Sequence, residues 1–240
     1  TETQPRATET QPRATETQPR ATETQPRATE TQPRATETQP LLIGLVGGIA
    51  SGKSLVADQM RSLSGAVLDA DLAGHDVLRD QEVIDALHKR WGDGIIALDG
   101  SLSRSVIAKI VFSAGNQEEK RYLESVTHPR IAACIQEQIA RLHAAGTRVL
   151  ILDAALLFEA GWDKKCDLIV FVSAPREVRL ARALARGWSE RDFLARESAQ
   201  LPLDEKRSRS GFVIDNSGLA EQTRQQVGEW WRLNVGKTDH

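Results

Sequence analysis

Five short apolar runs punctuate the chain after residue 40, at 41–46, 66–68, 148–152, 167–172 and 212–214. Each is three to six residues long, bounded by polar or glycine-containing segments, and reads as a buried strand. Between them the apolar spacing turns helical. A helix is expected from about Lys53, where Val56 and Met60 lie one turn apart. Residues 74–145 are mostly helical in pattern, with turn-rich interruptions at 91–94 and 99–100, and a charged helical stretch spans 176–209. A last amphipathic helix covers about 219–233, where Trp230 and Trp231 are expected to pack on the sheet. Apolar strands alternating with helices predict a parallel sheet covered on both faces. The crossover rule then favours a doubly wound, five-stranded α/β architecture. The helical insert between the second and third strands is longer than a crossover needs, and is expected over the carboxyl ends of the strands, where such folds bind ligands.

Residues 1–40 break this pattern. They repeat Thr-Glu-Thr-Gln-Pro-Arg-Ala five times and end in a truncated sixth copy. Proline every seven residues removes backbone donors, and no apolar face exists to offset the entropy of ordering. The segment is therefore expected to be a disordered tail, leaving 41–240 as one domain. Six Glu against five Arg give the tail a charge of −1, and the whole chain is −2, so the body is also −1. A near-neutral body argues against bulk nucleic-acid or membrane-surface binding, which need a basic excess. Two widely separated cysteines, Cys134 and Cys166, fit reduced core thiols better than a zinc site or a disulfide framework. No apolar run approaches 18 residues and no signal-peptide core is present, so the cytoplasm is the expected location.

The strongest chemical signal follows the first strand. Gly47-Gly48-Ile49-Ala50-Ser51-Gly52-Lys53-Ser54 fits G-x-x-x-x-G-K-[ST] throughout, with a strand before it and a helix after it. Glycines let main-chain N–H groups turn inward around phosphates, and the helix N-terminus adds positive potential. Lys53 is placed to reach the β- and γ-phosphates and the Ser54 hydroxyl to ligate Mg²⁺. The motif specifies nucleoside-triphosphate binding and leaves the reaction open. A guanine-nucleotide switch is disfavoured because no Asn-Lys-x-Asp base reader occurs. Length and the helical insert suit a small-molecule kinase.

Acceptor phosphorylation needs a group that orients a hydroxyl and takes its proton. Asp69-Ala70-Asp71 closes the second strand, with Asp71 favoured as that base and Asp69 behind it; a strand-end or helix cap is the structural alternative. Asp153 closes the third strand in the position of a metal-supporting carboxylate, and Glu159 follows in a similar setting. Arg176, Arg179, Arg182 and Arg186 lie along one helix face. The first two read as a solvated stripe. Arg182 and Arg186 read as cations brought to the transferring phosphoryl group by a closing lid. His128-Pro129 reads as a helix break whose histidine could cap or touch a phosphate.

Taken in order, the P-loop, Asp69-Ala70-Asp71, Trp91-Gly92, Leu98-Asp99-Gly100 with Arg104, Val111-Phe112, Leu123-Glu124, His128-Pro129, Leu156-Leu157-Phe158-Glu159, Gln200 and Val213-Ile214-Asp215-Asn216-Ser217-Gly218 resemble the dephospho-CoA kinase family over about residues 41–235. The resemblance implies a P-loop fold with a helical substrate-binding part (about 75–145) and a helical lid (about 176–209). It implies ATP and Mg²⁺ as co-substrate and metal, and dephospho-CoA phosphorylated on its ribose 3′-hydroxyl. Residues 50–55, ending at Leu55, would line the ATP phosphates. Asp71 would be the base, with Asp69, Arg104 and His128 toward the acceptor, and Arg182 and Arg186 in the lid. Asn216 and Gly218 would lie beside the adenine. The protein would act as a monomer or small homo-oligomer. Ala50 and Leu55 stand where the family usually has Gly and Thr, Ala155 where it has Pro, and Ser210-Gly211 where it has Ala-Asp. Another P-loop kinase for a nucleotide or sugar, or a nucleotide-binding protein without catalysis, are the alternative readings.

Overall fold

The computed structural model describes residues 1, 39–113 and 115–236; the repeat expected to be disordered lies outside them, apart from Thr1, Gln39 and Pro40. Five parallel strands form one sheet in the order β2-β3-β1-β4-β5. They are β1 (Leu41–Gly47), β2 (Ala66–Asp69), β3 (Val149–Asp153), β4 (Leu168–Ser173) and β5 (Phe212–Asp215), matching the five apolar runs to within two residues.

Period-two alternation sends successive side chains to opposite faces. Ile43, Leu45, Val149, Ile151, Val170, Val172 and Ile214 face a core completed by α1 (Lys53–Ser62) and α9 (Ala220–Asn234), where Val56, Met60, Val227, Trp230 and Trp231 are buried. Both tryptophans thus pack on the sheet, Trp230 edge-on to Phe212 with ring centroids 5.5 Å apart. Leu42, Val46, Leu68, Leu150, Leu152 and Phe171 face the other core. That core is closed by α2 (Ala70–Val77), α3 (Gln81–Trp91), α4 (Arg104–Phe112) and α5 (Gln117–Ala144). Fully burying each Val, Leu or Ile side chain stabilises the fold by about 1.5–3 kcal/mol, so these two layers fix the sheet and its register.

Two expectations need correction. Pro129 was read as a helix break, yet it lies inside the 28-residue helix α5. An interior proline costs about 3 kcal/mol, but Thr127, Ile131 and Ile135 are buried on either side of it, and Arg130 ties the same stretch to α3 and its cap through Glu82 and Asp80. Packing across the break outweighs the lost hydrogen bond. The insert also does more than overhang the strand ends. The second half of α5 covers the sheet, where Ile135 joins the core with Leu42 and Leu152. It is insert and crossover in one helix.

The charged stretch after β4 forms three short helices, α6 (Arg176–Ala185), α7 (Glu190–Ser198) and α8 (Leu203–Ser208). Ser189 and Asp192 cap the start of α7 reciprocally.

Candidate active site

All five strands end on one edge, where Lys53 of the P-loop, Asp69, Asp71 and Asp153 lie near one another. Asp69 and Asp153 are paired in register at the ends of β2 and β3, and Gly47 pairs with Val172 of β4. The turn after β1 begins with a close approach: a Cβ on Gly47 would stand 2.6 Å from Ser51 Oγ and 2.7 Å from the Val172 carbonyl. Ser51 N donates to Gly48 O at 3.0 Å, and Gly52 caps α1 with φ +90°. Ala50 carries φ +56°, a left-handed conformation that costs a residue with a Cβ roughly 1–2 kcal/mol. The first turn of α1 contains no acidic residue, so its positive end is not neutralised from within.

Lys53 Nζ lies 2.9 Å from Asp153 Oδ1, both side chains less than one-fifth exposed. Asp153 Oδ1 is buried and has no hydrogen-bond partner besides this ion-pair contact among the described residues. Ser54 is exposed at the start of α1 and Leu55 is half-buried. Asp69 is the N-cap of α2, accepting from Leu72 N at 2.8 Å, so the capping role and the strand-end position coincide. Asp71, in the first turn of that helix, is exposed. Crowding by the surrounding protein pushes its carboxyl above the ordinary aspartate range; Lys53 pulls the other way, and the Asp69 and Asp153 charges add to the rise. Asp71, Lys53 and Asp153 are therefore electrostatically coupled at one strand edge.

The opposite wall is built from the end of β5 and from α6. Asn216 is buried, donating Nδ2 to Ser51 O at 2.7 Å and accepting from Thr223 Oγ1 at 2.9 Å. Arg182 donates to the same Ser51 carbonyl at 3.2 Å and to Asn216 O at 2.9 Å. Both side chains hold the phosphate loop from behind. Gly218 is exposed in the turn before α9, and Arg186 is exposed at the end of α6. Arg104 is exposed at the start of α4, which packs on α5, while His128 is half-buried within α5, the helix packed on α2.

Arg179 departs from the solvated stripe expected for it. It is 3% exposed, pairs with Glu197 of α7 at 2.7 Å and donates to the Ala174 and Ile49 carbonyls. Arg176 is exposed and shares Glu197. Burial alone would raise the Glu197 carboxyl, but the two guanidiniums hold it below its ordinary range. Sequence reasoning also missed Lys206, which is fully buried. A lysine or arginine every few residues through 176–209 hid both; only the apolar residues around Phe193 hinted that one side of this region turns inward.

A complete phosphate loop on the edge of an all-parallel sheet, with a lysine–aspartate pair and a second aspartate beside it, defines a P-loop kinase. The dephospho-CoA kinase profile matches residues 41–222. A dephospho-CoA kinase from Carboxydothermus hydrogenoformans is 42% identical over 192 residues, covering 78% of this chain and 90% of its own. One from Symbiobacterium thermophilum is 39% identical over 197 residues, covering 81% and 82%. Among solved structures, TT1252 from Thermus thermophilus superposes with a TM-score of 0.71 at 34% identity, over 82% of this chain and 98% of that one. Dephospho-CoA kinase from Campylobacter jejuni gives 0.60 at 25% identity, over 81% and 98%. The chain belongs to the dephospho-CoA kinase family. Its enzyme class is that of a phosphotransferase acting on an alcohol group, at the last step of coenzyme A biosynthesis.

Proposed function

We propose that the protein transfers the γ-phosphoryl group of ATP to the ribose 3′-hydroxyl of dephospho-CoA, giving ADP and CoA, in the cytoplasm and without nucleic-acid or membrane partners. No helix among the described residues is long and apolar enough to cross a membrane. The observation that supports the mechanism most is the convergence of Lys53, Asp153 and Asp71 on one strand edge beside the P-loop.

In this reading the main-chain N–H groups of 48–54 and the N-terminus of α1 hold the triphosphate. The Lys53 ammonium leaves Asp153 for the β- and γ-phosphates as they bind, and stabilises the charge that builds on the transferring group. Asp71 accepts the proton of the 3′-hydroxyl; its raised pKa makes it a better base than an ordinary aspartate. The hard oxygen donors of Ser54 and Asp153 suit Mg²⁺, and the buried Asp153 Oδ1, which has only the Lys53 ammonium beside it among the described residues, fits such a role once Lys53 has moved. When bound there, Mg²⁺ neutralises phosphate charge. Residues 75–145, with Arg104 and His128, bind dephospho-CoA, and 176–209 form the lid, Arg186 being an exposed cation in it and Arg182 the brace of the loop. Asn216 and Gly218 border the adenine by their main chain, the Asn216 amide being occupied by Ser51.

The test is ADP release coupled to product identification, with dephospho-CoA, AMP, CMP and gluconate as acceptors. Turnover with dephospho-CoA alone is expected. Equal turnover with another acceptor, or none with any, would refute the assignment.

A further inference from the structure

Three fragments that the phosphate chemistry leaves unused meet at one buried atom. Lys206 Nζ, at zero exposure, donates to the Ala155 carbonyl at 2.8 Å and to Gln200 Oε1 at 3.1 Å, and pairs with Glu159 Oε1 at 3.0 Å. Three acceptors thus meet the three ammonium protons. The same Glu159 oxygen accepts from Leu201 N at 2.8 Å. The loop after β3, the linker between α7 and α8, and α8 itself are tied together at this point. The linker then runs straight to the phosphate loop. Leu203, one residue past it, packs on Gly48 so closely that a Cβ there would lie 3.0 Å from its methyl carbon. A pocket of about 250 Å³ lies beneath, with Gly48 and Ile49 on one wall, Arg179 and Glu197 on a second, and Gln200 and Leu203 on a third.

A buried ion pair is a poor source of net stability, because desolvation consumes most of the Coulomb gain and an apolar residue of similar volume often serves as well. What the ammonium adds is direction. Burial pushes the Lys206 pKa down, while the Glu159 partner supports the charged form and Lys53 opposes it, so the group sits close enough to the P-loop lysine to feel its charge. An apolar side chain would fill the slot but leave the Ala155 and Gln200 oxygens without their donor, and the linker free to slide.

We propose that Lys206 is a positioning residue: it pins the 199–202 linker, and Leu203 after it, over Gly48, and so sets the wall that keeps water from the phosphoryl group during transfer. The inference rests on the kinase reading above and concerns the same site. Loss of the pin should act on the transfer step and on its fidelity, not on the grip of the P-loop amides.

The experiment compares the full-length wild type with Lys206→Met and Gln200→Leu. For each, kcat and KM for ATP are measured with dephospho-CoA, together with ADP formed per CoA formed, ADP release without acceptor, and Tm. Lys206→Met is expected to lower kcat roughly 10- to 100-fold, the range a misplaced contact produces. KM for ATP should stay within about 3-fold, and the ratio of ADP to CoA should rise above one. Gln200→Leu, which removes one of the three acceptors, is expected to shift the same ratio in the same direction by less. A wild-type ratio in both variants overturns the proposal, as does a fall in kcat matched by an equal rise in KM. If Lys206→Met does not fold, Gln200→Leu decides: an unchanged ratio overturns the proposal and a raised one supports it. Failure of the wild type to phosphorylate dephospho-CoA would refute the reaction itself, and is read separately from any difference between variants.

Discussion

The phosphate loop and the Lys206 cluster lie a few residues apart in space and are built on opposite plans. The loop is local: eight consecutive residues whose chemistry is carried by main-chain N–H groups, a helix end and one ammonium. The cluster is convergent, drawing Ala155, Glu159, Gln200 and Lys206 from three segments, and its chemistry is carried by one buried ammonium with a main-chain carbonyl and two side-chain oxygens around it. The difference shows where each is vulnerable. A cradle made of backbone tolerates most side-chain changes that preserve its turns, whereas a hub made of side chains is lost with one atom. Even the loop is not wholly local, because Ser51 O is held by Asn216 and Arg182.

The largest effect should come from the one side chain on which the local plan depends. Lys53→Ala is expected to lower kcat/KM for ATP by about 10²–10³-fold, the loss typical of one charge-stabilising donor, in steady-state assays at saturating dephospho-CoA. A smaller loss than in Lys206→Met would invert the ranking of the two regions.

Asp71→Asn should follow, lowering kcat by at least ~10²-fold while ATP still binds by calorimetry. Its pH behaviour is opposite to that of a salt-bridged carboxylate. Because the folded pKa is raised, the fold favours the protonated form. Stability from this group is complete below the ordinary aspartate pKa and is lost as pH rises through the raised value. Asp71→Asn should therefore melt higher than the wild type at neutral pH, and the two Tm values should converge near pH 3. The acid limb of the wild-type kcat/KM profile should fall at a higher pH than an ordinary aspartate would give.

Asn216→Ala tests whether the loop stands alone. It removes one of the two donors to the Ser51 carbonyl and leaves the Thr223 hydroxyl only its longer bond to the Asp215 carbonyl, a cost of about 1–3 kcal/mol. KM for ATP should rise roughly tenfold or less with little change in kcat. No change in KM would mean that the loop is self-sufficient after all.

The smallest effect belongs to Ala50→Gly. Relief of the left-handed alanine, worth roughly 1–2 kcal/mol, is offset by the extra freedom glycine gives the unfolded chain, about 0.4–1 kcal/mol. Chemical denaturation should show a gain of at most about 1.6 kcal/mol, and KM for ATP should fall slightly.

How much of this was legible in the sequence follows the same division. The five strands and the P-loop could be read because their signals are contiguous: apolar runs bounded by turns, and a motif with its helix. Asp69 and Asp71 could be located at the close of β2 and the first turn of α2, because a strand end locates its next residues. Arg179 and Lys206 could not be told from their neighbours, since burial of a charged side chain depends on partners such as Glu197 and Glu159 that arrive from elsewhere in the chain. Pro129 misled for a related reason. Its local rule is sound, but the core on either side of it is assembled from β1, β3 and α2, none of which adjoins it in sequence.

The amide of Asn216 occupies the space where a Cβ on Gly52 would fall, at 2.0 Å, and reaches its acceptor across 165 positions of chain. A polypeptide emerging from the ribosome thus carries the whole nucleotide motif long before it carries the brace that stiffens it. Any truncated product ending before β5 would display the signature octapeptide with the Ser51 carbonyl held by Arg182 alone.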